Sequence, residues 1–312
     1  MSLEPYHPGL STIDSLSINP PSGVDFALNP LQVPETFLFK VKENISLDSI
    51  NEYYNINTDW FVNETLRNIA RSEDINFLFF KGIRDSLVCL IKNLKIKLVI
   101  FPESSYPGNI QVCKYLNVNF MTYKDSSHLR LLSATHDSLE TLIIWEDPGN
   151  PEHRGVLDPV SIKKSYVFID CAYRFPSLNI KENSCLNVYL RDRFYLAFGF
   201  SKSTAIPSAS LSFLVSKMSF NTDMYPVKWD IFQASVAKTL FADNMLGPLY
   251  DEVYKKCLDL YKEKELYLLD EKISIYSRIN PCFITVDAMR GLPVEKEGKL
   301  YPNLGLQRIP LK

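Results

Sequence analysis

The stretch FYLAFGFSKSTAIPSASLSFLVS, residues 194–216, contains two apolar runs that flank a polar loop with a single lysine. The two runs predict neighbouring strands, so Lys202 is expected in a loop between them. A lysine in such a loop can form a Schiff base with a carbonyl group. The alternative is a solvated surface lysine, which is the common situation for this residue type. The rest of the sequence has to distinguish these two interpretations.

Length and composition are those of an ordinary globular protein. The 312 residues predict one large domain and a smaller one. With 22% charged residues and a formal net charge of -2, neither nucleic acid nor a membrane is expected as a partner. No apolar run reaches the ~18 residues of a membrane span. The first residues contain no basic segment followed by an apolar core, so a cytoplasmic location is expected.

The six cysteines and four histidines show no pattern of a metal site or a disulfide framework. The cysteines have no CxxC spacing and lie mostly within apolar runs, which is typical of small core residues. The histidines lack the spacing of metal ligands. A metal enzyme is therefore not expected.

The middle of the chain alternates between apolar runs and helical patterns. Strands are predicted at 75–80, 97–101, 118–123, 139–147 and 166–170, and helices at 83–94, 108–116 and, as a short segment, 161–165. A polar loop is expected between 118–123 and 139–147. Continuous apolar strands that alternate with short helices indicate an α/β fold, in which both faces of a mostly parallel sheet are covered in a three-layer αβα arrangement.

Three regions are predicted along the chain. Residues 1–45, rich in Pro, Ser and Asn, predict an extended arm, and residues 46–228 the large α/β domain. Residues 229–312 predict a linking helix and a small α+β domain to which the arm contributes. This last region contains longer amphipathic helices and two candidate strands, at 229–246, 248–273, 281–288 and 304–311.

Four loops follow predicted strands, at the sheet edge where open α/β proteins bind ligands. In FFKGIRDS, Gly82 precedes a helix whose first N–H groups can receive an anion. FPESSYPGN places Tyr106 just after a strand, and WEDPGNPEHRG holds Asn150 in a tight turn. FIDCAYRF places Asp170 at a strand end, with Tyr173 three residues later. Their shared position predicts a common ligand site.

These motifs resemble, in the same order, those of the class I/II aminotransferases, the aspartate-aminotransferase-like pyridoxal-phosphate enzymes of fold type I, especially the histidinol-phosphate aminotransferase branch. FGFSKS resembles the Ser-Lys motif of that family, and the segments DCAY, NPEH and SYPG, at 170–173, 150–153 and 105–108, resemble its D-x-A-Y, N-P-T-G and T-Y-P-G motifs. The resemblance extends from about Asn29 to Arg308. It implies the transferase-like αβα fold with a small α+β domain, and pyridoxal 5′-phosphate as the cofactor.

The resemblance also implies a role for each motif residue at the cofactor ring. Lys202 is expected to form the Schiff base, and Asp170 to keep the ring nitrogen protonated. Asn150 and Tyr173 are expected to donate hydrogen bonds to the phenolic oxygen. Tyr106 is expected to stack on the ring face. The alternatives are a cap or turn role for Asp170 and Asn150, and a partly buried structural tyrosine at Tyr106.

The cofactor phosphate is expected on the turn formed by Gly82, Ile83 and Arg84, with Ser201 reaching it from the lysine loop. Ser210 stands where the family has an arginine on this phosphate. A serine can donate a hydrogen bond but supplies no charge, so weaker cofactor binding is expected unless Arg84 or Arg154 compensates. The alternative for Arg84, which the sequence slightly favours, is a solvated helix residue, with the backbone N–H groups alone binding the phosphate.

Other likenesses concern the partner subunit and the substrate. The resemblance implies a homodimer in which a tyrosine of the NEYYNIN segment, Tyr53 or Tyr54, crosses to the partner's phosphate, and the sequence does not distinguish the two. Arg308 is expected to bind the substrate carboxylate by a bidentate pair, with a surface arginine on an edge strand as the alternative. Asn29 resembles a residue of the substrate entrance.

The implied reaction is amino-group transfer from an amino acid to a 2-oxo acid, a step of amino-acid metabolism. Decarboxylation, elimination and racemisation use the same type of site and stay open, as does a non-catalytic protein that binds an amino acid or a partner. No residue identifies the amino donor. The lack of a second arginine motif favours a substrate other than a dicarboxylate.

Overall fold

Seven strands form the main sheet of the protein. The computed structural model describes residues 35–45, 76–103, 105–147, 162–172, 191–200, 211–218, 231–241, 245–270, 275, 283–287, 299–301 and 306–310. The main-sheet strands are β1 (Asn76–Phe80), β2 (Leu98–Pro102), β3 (Asn119–Tyr123), β4 (Thr141–Glu146), β5 (Tyr166–Cys171), β6 (Phe194–Gly199) and β7 (Ser212–Ser216).

The strand order is β1-β7-β6-β5-β4-β2-β3. Strands β3, β2, β4, β5 and β6 are mutually parallel, whereas β7 runs antiparallel to both of its neighbours, β6 and β1. Because β1 and β6 are both antiparallel to β7, they point in the same direction. The mostly parallel sheet predicted from the sequence is confirmed.

The described helices are α1 (Glu35–Glu43), α2 (Ile83–Asn93), α3 (Pro107–Leu116), α4 (Ser126–His136), α5 (Ile231–Phe241) and α6 (Leu246–Asp270). A second sheet of three antiparallel strands has the order β8-β10-β9, with β8 at Phe283–Asp287, β9 at Lys299–Tyr301 and β10 at Leu306–Pro310. Helices α1 and α4 and strand β9 were not predicted.

Both faces of the main sheet are buried, which explains why its strands are continuous apolar runs. On one face, Ile143 and Trp145 pack with residues of α1, α4, α5 and α6. On the other face, Leu142 and Ile144 pack with residues of α2 and α3. Burial of each large apolar side chain contributes roughly 1.5–3 kcal/mol to folding. This is the predicted three-layer αβα arrangement.

The predicted short helix at 161–165 is wrong for the residues that can be compared, because Ile162–Ser165 are not helical. The Asp137 carboxylate accepts hydrogen bonds from the backbone N–H groups of Lys163, Lys164 and Ser165, at 3.3, 2.9 and 2.7 Å. These bonds lower the pKa of Asp137, although burial acts in the opposite direction. These three N–H groups thus donate to a carboxylate that is distant in sequence, and not to acceptors within a helix. The same hydrogen bonds fix the chain just before β5.

Helix α1 is joined to α5 by buried polar contacts as well as apolar ones. The Asn44 side-chain amide donates to Thr239 Oγ1 at 3.0 Å, and Ser235 Oγ donates to the Asn44 carbonyl at 3.1 Å. Both helices also contribute to the core on the same sheet face, through Phe37, Val41 and Val236 among others. The first described helix and the region after β7 therefore pack together on the main sheet.

Two types of feature are absent from the part of the chain that the structure describes. No helix there combines the length and hydropathy needed to cross a bilayer. No group of three or more potential metal-ligating side chains occurs there either.

Candidate active site

The carboxyl ends of the parallel strands meet at one edge of the main sheet, and the candidate residues lie along this edge. Glu146 of β4 is paired in register with Asp170 of β5, which is paired with Ala197 of β6. Ser212, the first residue of β7, is in register with both Gly199 and Phe80. Helix α2 begins just after β1, so its first residues lie at this same edge.

Asp170 is a partly buried carboxylate with few hydrogen bonds. Its Oδ1 accepts from the backbone N–H of Ala172 at 2.9 Å, and no other residue in the described ranges donates to this side chain. Burial raises the pKa of the Asp170 carboxyl from 3.8 to about 6, while the Ala172 hydrogen bond lowers it by a smaller amount. A carboxyl in this condition gains stability when a cationic group lies beside it.

Glu146, the neighbour of Asp170, is held quite differently. It is 5% exposed, and its Oε1 accepts from Ser105 Oγ at 2.5 Å and from the Tyr106 backbone N–H at 3.1 Å. Sequence reasoning did not single it out, because it ends an otherwise apolar strand, TLIIWE. The available signal was an acidic residue at a buried strand end, at the same edge as Asp170.

Tyr106 lies at the start of α3 with its ring between other side chains. The Arg84 guanidinium carbon is 5.6 Å from the centre of the Tyr106 ring. A Cβ atom on Gly108 would be 2.5 Å from Cε1 of that ring and 2.8 Å from Cδ of Arg84. A side chain at position 108 would therefore have to displace the Tyr106 ring and the Arg84 stem. Tyr106 is nevertheless 45% exposed, so part of its surface is available to a ligand.

The start of α2 matches the predicted anion site in part. Gly82 precedes the helix and supplies no capping side chain, so the first N–H groups of Ile83 and Arg84 have no cap from it. The Gly82 φ of -175° is extended backbone that any residue adopts, so its conformation does not require glycine. Helix α2 packs tightly on the end of β6, since a Cβ on Gly199 would be 3.2 Å from Cδ1 of Ile83.

The two ends of the lysine loop are joined at the same edge. The backbone N–H of Phe200 donates to the carbonyl of Leu211 at 3.0 Å. Residues 201–210 between them lie outside the described ranges. Ser201, Lys202 and Ser210 are therefore placed by chain connectivity only.

Several predicted site residues cannot be compared with the structure. Those outside the described ranges are Asn29, Tyr54, Asn150 and Tyr173, in addition to the three loop residues. Arg308 lies in β10, where its backbone is in register with Thr285 of β8 and Lys299 of β9. The described residues that the structure brings to one edge are Gly82, Ile83, Arg84, Tyr106 and Asp170.

No protein-family model matches the chain, and no curated protein matches it at a significant level. Solved structures do match. A candidate histidinol-phosphate aminotransferase from Erwinia carotovora superposes with a TM-score of 0.69 and 15% identity over 92% of this chain and 90% of its own. The histidinol-phosphate aminotransferase from Sinorhizobium meliloti, solved with pyridoxal 5′-phosphate, gives 0.66 and 15% over 91% and 84%.

A third similar structure is a pyridoxal-phosphate-bound C–S lyase from Staphylococcus hominis, with a TM-score of 0.59 and 15% identity over 91% of this chain and 82% of the lyase. Enzymes with different reactions thus share this arrangement of strands and helices. At such low identity the likeness establishes architecture alone. The chain has the class I/II aminotransferase fold, that of the fold-type I pyridoxal-phosphate-dependent enzymes.

Proposed function

We propose that this chain is a pyridoxal-phosphate-dependent aminotransferase that moves an amino group from an amino acid to a 2-oxo acid. The observation that carries the proposal is Asp170, a carboxyl with a raised pKa and a single donor at the carboxyl end of β5, in a sheet of the aminotransferase fold. Tyr106 and both ends of the lysine loop lie at the same edge. The motif order in the sequence agrees with this placement.

The described residues fit the cofactor. A protonated pyridine nitrogen is a cation that would stabilise the charged form of the Asp170 carboxyl, and the exposed part of Tyr106 offers an aromatic surface for the ring. Bound pyridoxal phosphate supplies an electron sink for the bonds at the substrate Cα. Asp170 sustains that property by keeping its charge next to the ring nitrogen.

Lys202 is proposed to hold the cofactor covalently and to move the proton at the substrate Cα. Covalent geometry keeps its Cα within about 7 Å of that of Phe200, the last described residue of this strand end. Asn150 and Tyr173, which follow the ends of β4 and β5 in the sequence, are proposed to orient the ring through its phenolic oxygen.

The phosphate is proposed to bind at the start of α2, where the N–H groups of Ile83 and Arg84 and the helix dipole favour an anion. Ser201 and Ser210 supply hydroxyl donors. Arg84, exposed in the first turn of α2, is the cation closest in sequence to these N–H groups and replaces the charge that Ser210 lacks.

Substrate binding and assembly follow the same proposal. Arg308 on β10 pairs with the substrate carboxylate, and Asn29 lines the entrance. The active unit is a homodimer, with Tyr54 contributing to the partner's phosphate site. Residues 1–45, 46–228 and 229–312 are proposed as arm, large domain and C-terminal unit. The amino donor is an amino acid without a second carboxylate.

The test of the cofactor assignment is the visible absorption of the purified protein after incubation with pyridoxal 5′-phosphate. Wild type is expected to acquire a visible band, and Lys202→Ala to lose it. Lys217→Ala, an exposed lysine just after β7, is the matched control and should retain it. A wild-type protein that stays colourless after incubation with the cofactor would exclude every proposed reaction that depends on pyridoxal 5′-phosphate.

The type of reaction is tested by a screen of amino acids. Aminotransfer is expected to convert the amino acid to its 2-oxo acid and to leave the cofactor in its amine form. A lyase reaction is the second candidate, because a C–S lyase shares the fold. Release of sulfide from a sulfur amino acid, with the cofactor regenerated in each turnover, would replace the aminotransferase assignment by the lyase one.

A further inference from the structure

We infer that Glu146 is a positioning residue for Tyr106, so that this carboxylate sets the aromatic surface against which the cofactor ring is held. The inference rests on the proposed function, because Tyr106 needs a fixed position only if a planar ligand lies against it. Neither the motif pattern nor the likeness to solved structures assigns any role to Glu146.

The carboxylate of Glu146 binds the two residues that start α3. Its Oε1 accepts from both Ser105 Oγ and the Tyr106 backbone N–H, and the Asn109 side-chain amide donates in turn to Ser105 Oγ at 3.2 Å. Ser105 and Asn109 are themselves buried. A negative charge at a helix start also interacts favourably with the helix dipole. The backbone of Tyr106 is therefore fixed to the end of β4.

The same strand end is fixed to Asp170. Glu146 and Asp170 are neighbours in register on parallel strands, so their side chains leave the same face of the sheet. The backbone N–H of Asp147 donates to the Asp170 carbonyl at 2.8 Å. Through Glu146, the residue proposed to contact the ring face and the residue proposed to contact the ring nitrogen share one rigid support.

The Tyr106 ring itself has little packing of its own, since the residue is 45% exposed. The ring lies near the Arg84 guanidinium and occupies space that a Cβ atom at position 108 would need. Motion of its backbone would move such an exposed ring, because the Cα–Cβ bond carries the ring with it. The hydrogen bonds to Glu146 remove that backbone freedom.

Burial of a carboxylate is costly unless its hydrogen bonds repay the lost hydration. An apolar residue at position 146 would continue the apolar pattern of TLIIWE, but it would remove the acceptor of Ser105 Oγ and of the Tyr106 N–H. A purely structural brace for α3 is the alternative explanation of Glu146. The two explanations differ in whether ligand binding depends on Glu146 through Tyr106.

The first experiment measures amide hydrogen exchange of the cofactor-free protein at Ser105 and Tyr106. Glu146→Ala is expected to accelerate exchange at the Tyr106 amide at least tenfold, because its acceptor is gone. Glu146→Gln keeps a carbonyl oxygen at the same place and should stay within about threefold of wild type. Asp137→Ala, which removes the acceptor of the backbone N–H groups of Lys163, Lys164 and Ser165 near the other end of β4, controls for general destabilisation and should leave this amide unchanged. Unchanged exchange in Glu146→Ala would overturn the inference.

The second experiment is a double-mutant cycle on the dissociation constant of pyridoxal 5′-phosphate. Glu146→Ala is expected to weaken binding about tenfold in the wild-type background, and to have no further effect when Tyr106→Ala is already present. Equal effects in both backgrounds would show that Glu146 acts independently of Tyr106 and would overturn the inference. Should Glu146→Ala fold poorly, Ser105→Ala, which removes one of the two donors, replaces it in the cycle with an expected loss of about threefold.

Failure of the inference differs from failure of the proposed function. If wild type binds the cofactor and Glu146→Ala binds it equally well, the inference is wrong and the proposed function stands. If wild type does not bind the cofactor at all, the proposed function is wrong, and the inferred role toward a cofactor ring falls with it even where the exchange results match.

Discussion

At the residue scale, two neighbouring carboxyls at one sheet edge are held in opposite ways. Glu146 is buried with two donors on one oxygen, whereas Asp170 has one backbone donor and a pKa raised to about 6. The first arrangement stabilises a fixed geometry. The second leaves a group whose charge becomes favourable only beside a cation, as expected of a ligand-binding carboxyl.

The raised pKa of Asp170 predicts a pH-dependent stability of the cofactor-free protein. The native carboxyl keeps its proton up to about pH 6, while the unfolded one loses it near 3.8, so its contribution to stability falls as pH rises between these values and is constant above. The side chain is partly exposed, and solvent screening reduces the effect. The unfolding free energy lost over this pH range is therefore on the order of 2 kcal/mol. Asp170→Asn should lack this loss.

The measurement is urea unfolding of wild type and Asp170→Asn between pH 4 and 7.5. As pH rises, the unfolding free energy of Asp170→Asn should increase relative to that of wild type. Other titrating groups affect both proteins equally, so the difference between the two proteins cancels their contribution. A difference that is independent of pH would contradict the raised pKa.

Gly108→Ala is predicted to separate ligand binding from stability. The added Cβ displaces the ring of Tyr106 and the stem of Arg84, both of which can move toward solvent, while alanine is intrinsically better than glycine in a helix by about 1 kcal/mol. The midpoint of thermal unfolding should therefore change little, and cofactor affinity should fall about tenfold.

Cofactor titration and thermal unfolding of Gly108→Ala, with Tyr106→Ala as the reference for complete loss of the ring, test this prediction. Equal affinity in Gly108→Ala and wild type would mean that the position of the Tyr106 ring does not matter for binding.

At the element scale, the sequence predicts best where a segment is apolar on both faces. Strands β2 and β6 are such segments. Because they are buried between two helical layers, their continuous apolar composition fits a strand that is covered on both faces. Helix α4 was missed because SSHLRLLSATH is mostly polar, although Asp125 caps it by accepting from the His128 N–H at 2.8 Å and Leu129 and Leu132 face the core. Its amphipathic spacing was the available signal.

Two buried hydroxyls, Thr239 of α5 and Ser133 of α4, give a matched pair of predictions. Thr239→Val removes the acceptor of the Asn44 side-chain amide inside the α1–α5 contact, and should lower the free energy of unfolding by about 1–3 kcal/mol. Ser133→Ala removes a buried hydroxyl that has no hydrogen-bond partner in the structure, and should be neutral or slightly stabilising.

Urea unfolding of both variants measures the two effects. A Thr239→Val loss no greater than that of Ser133→Ala would show that the α1–α5 hydrogen bond contributes nothing net to stability.

At the scale of the whole molecule, the fold was predictable because many local signals agree, whereas the site was predictable only in part. Asp170 and Tyr106 follow apolar runs, so pattern and motif place them at the correct edge. Glu146 could not be connected to Ser105 from sequence, since their contact spans 41 residues and depends on how β4 meets α3. The non-helical conformation of residues 162–165 was not predicted for the same physical reason, because it depends on the Asp137 carboxylate, which is distant in sequence.

The proposed homodimer is the prediction that belongs to the whole molecule. Sedimentation of the cofactor-loaded protein should give twice the chain mass of 35.9 kDa. Tyr54→Phe should weaken cofactor binding without changing this mass, because one hydroxyl at a phosphate is small compared with a subunit interface. A fully active monomer would contradict the proposed assembly.

The hydrogen bond from Phe200 to Leu211 closes the ten residues between them at their base. Both anchoring strands lie within the sheet, and neither depends on the loop for its own pairing. Because Phe200 and Leu211 are joined outside the proposed catalytic segment, we expect that exchanging residues 201–210 would change the chemistry of the site while β6 and β7 stay paired.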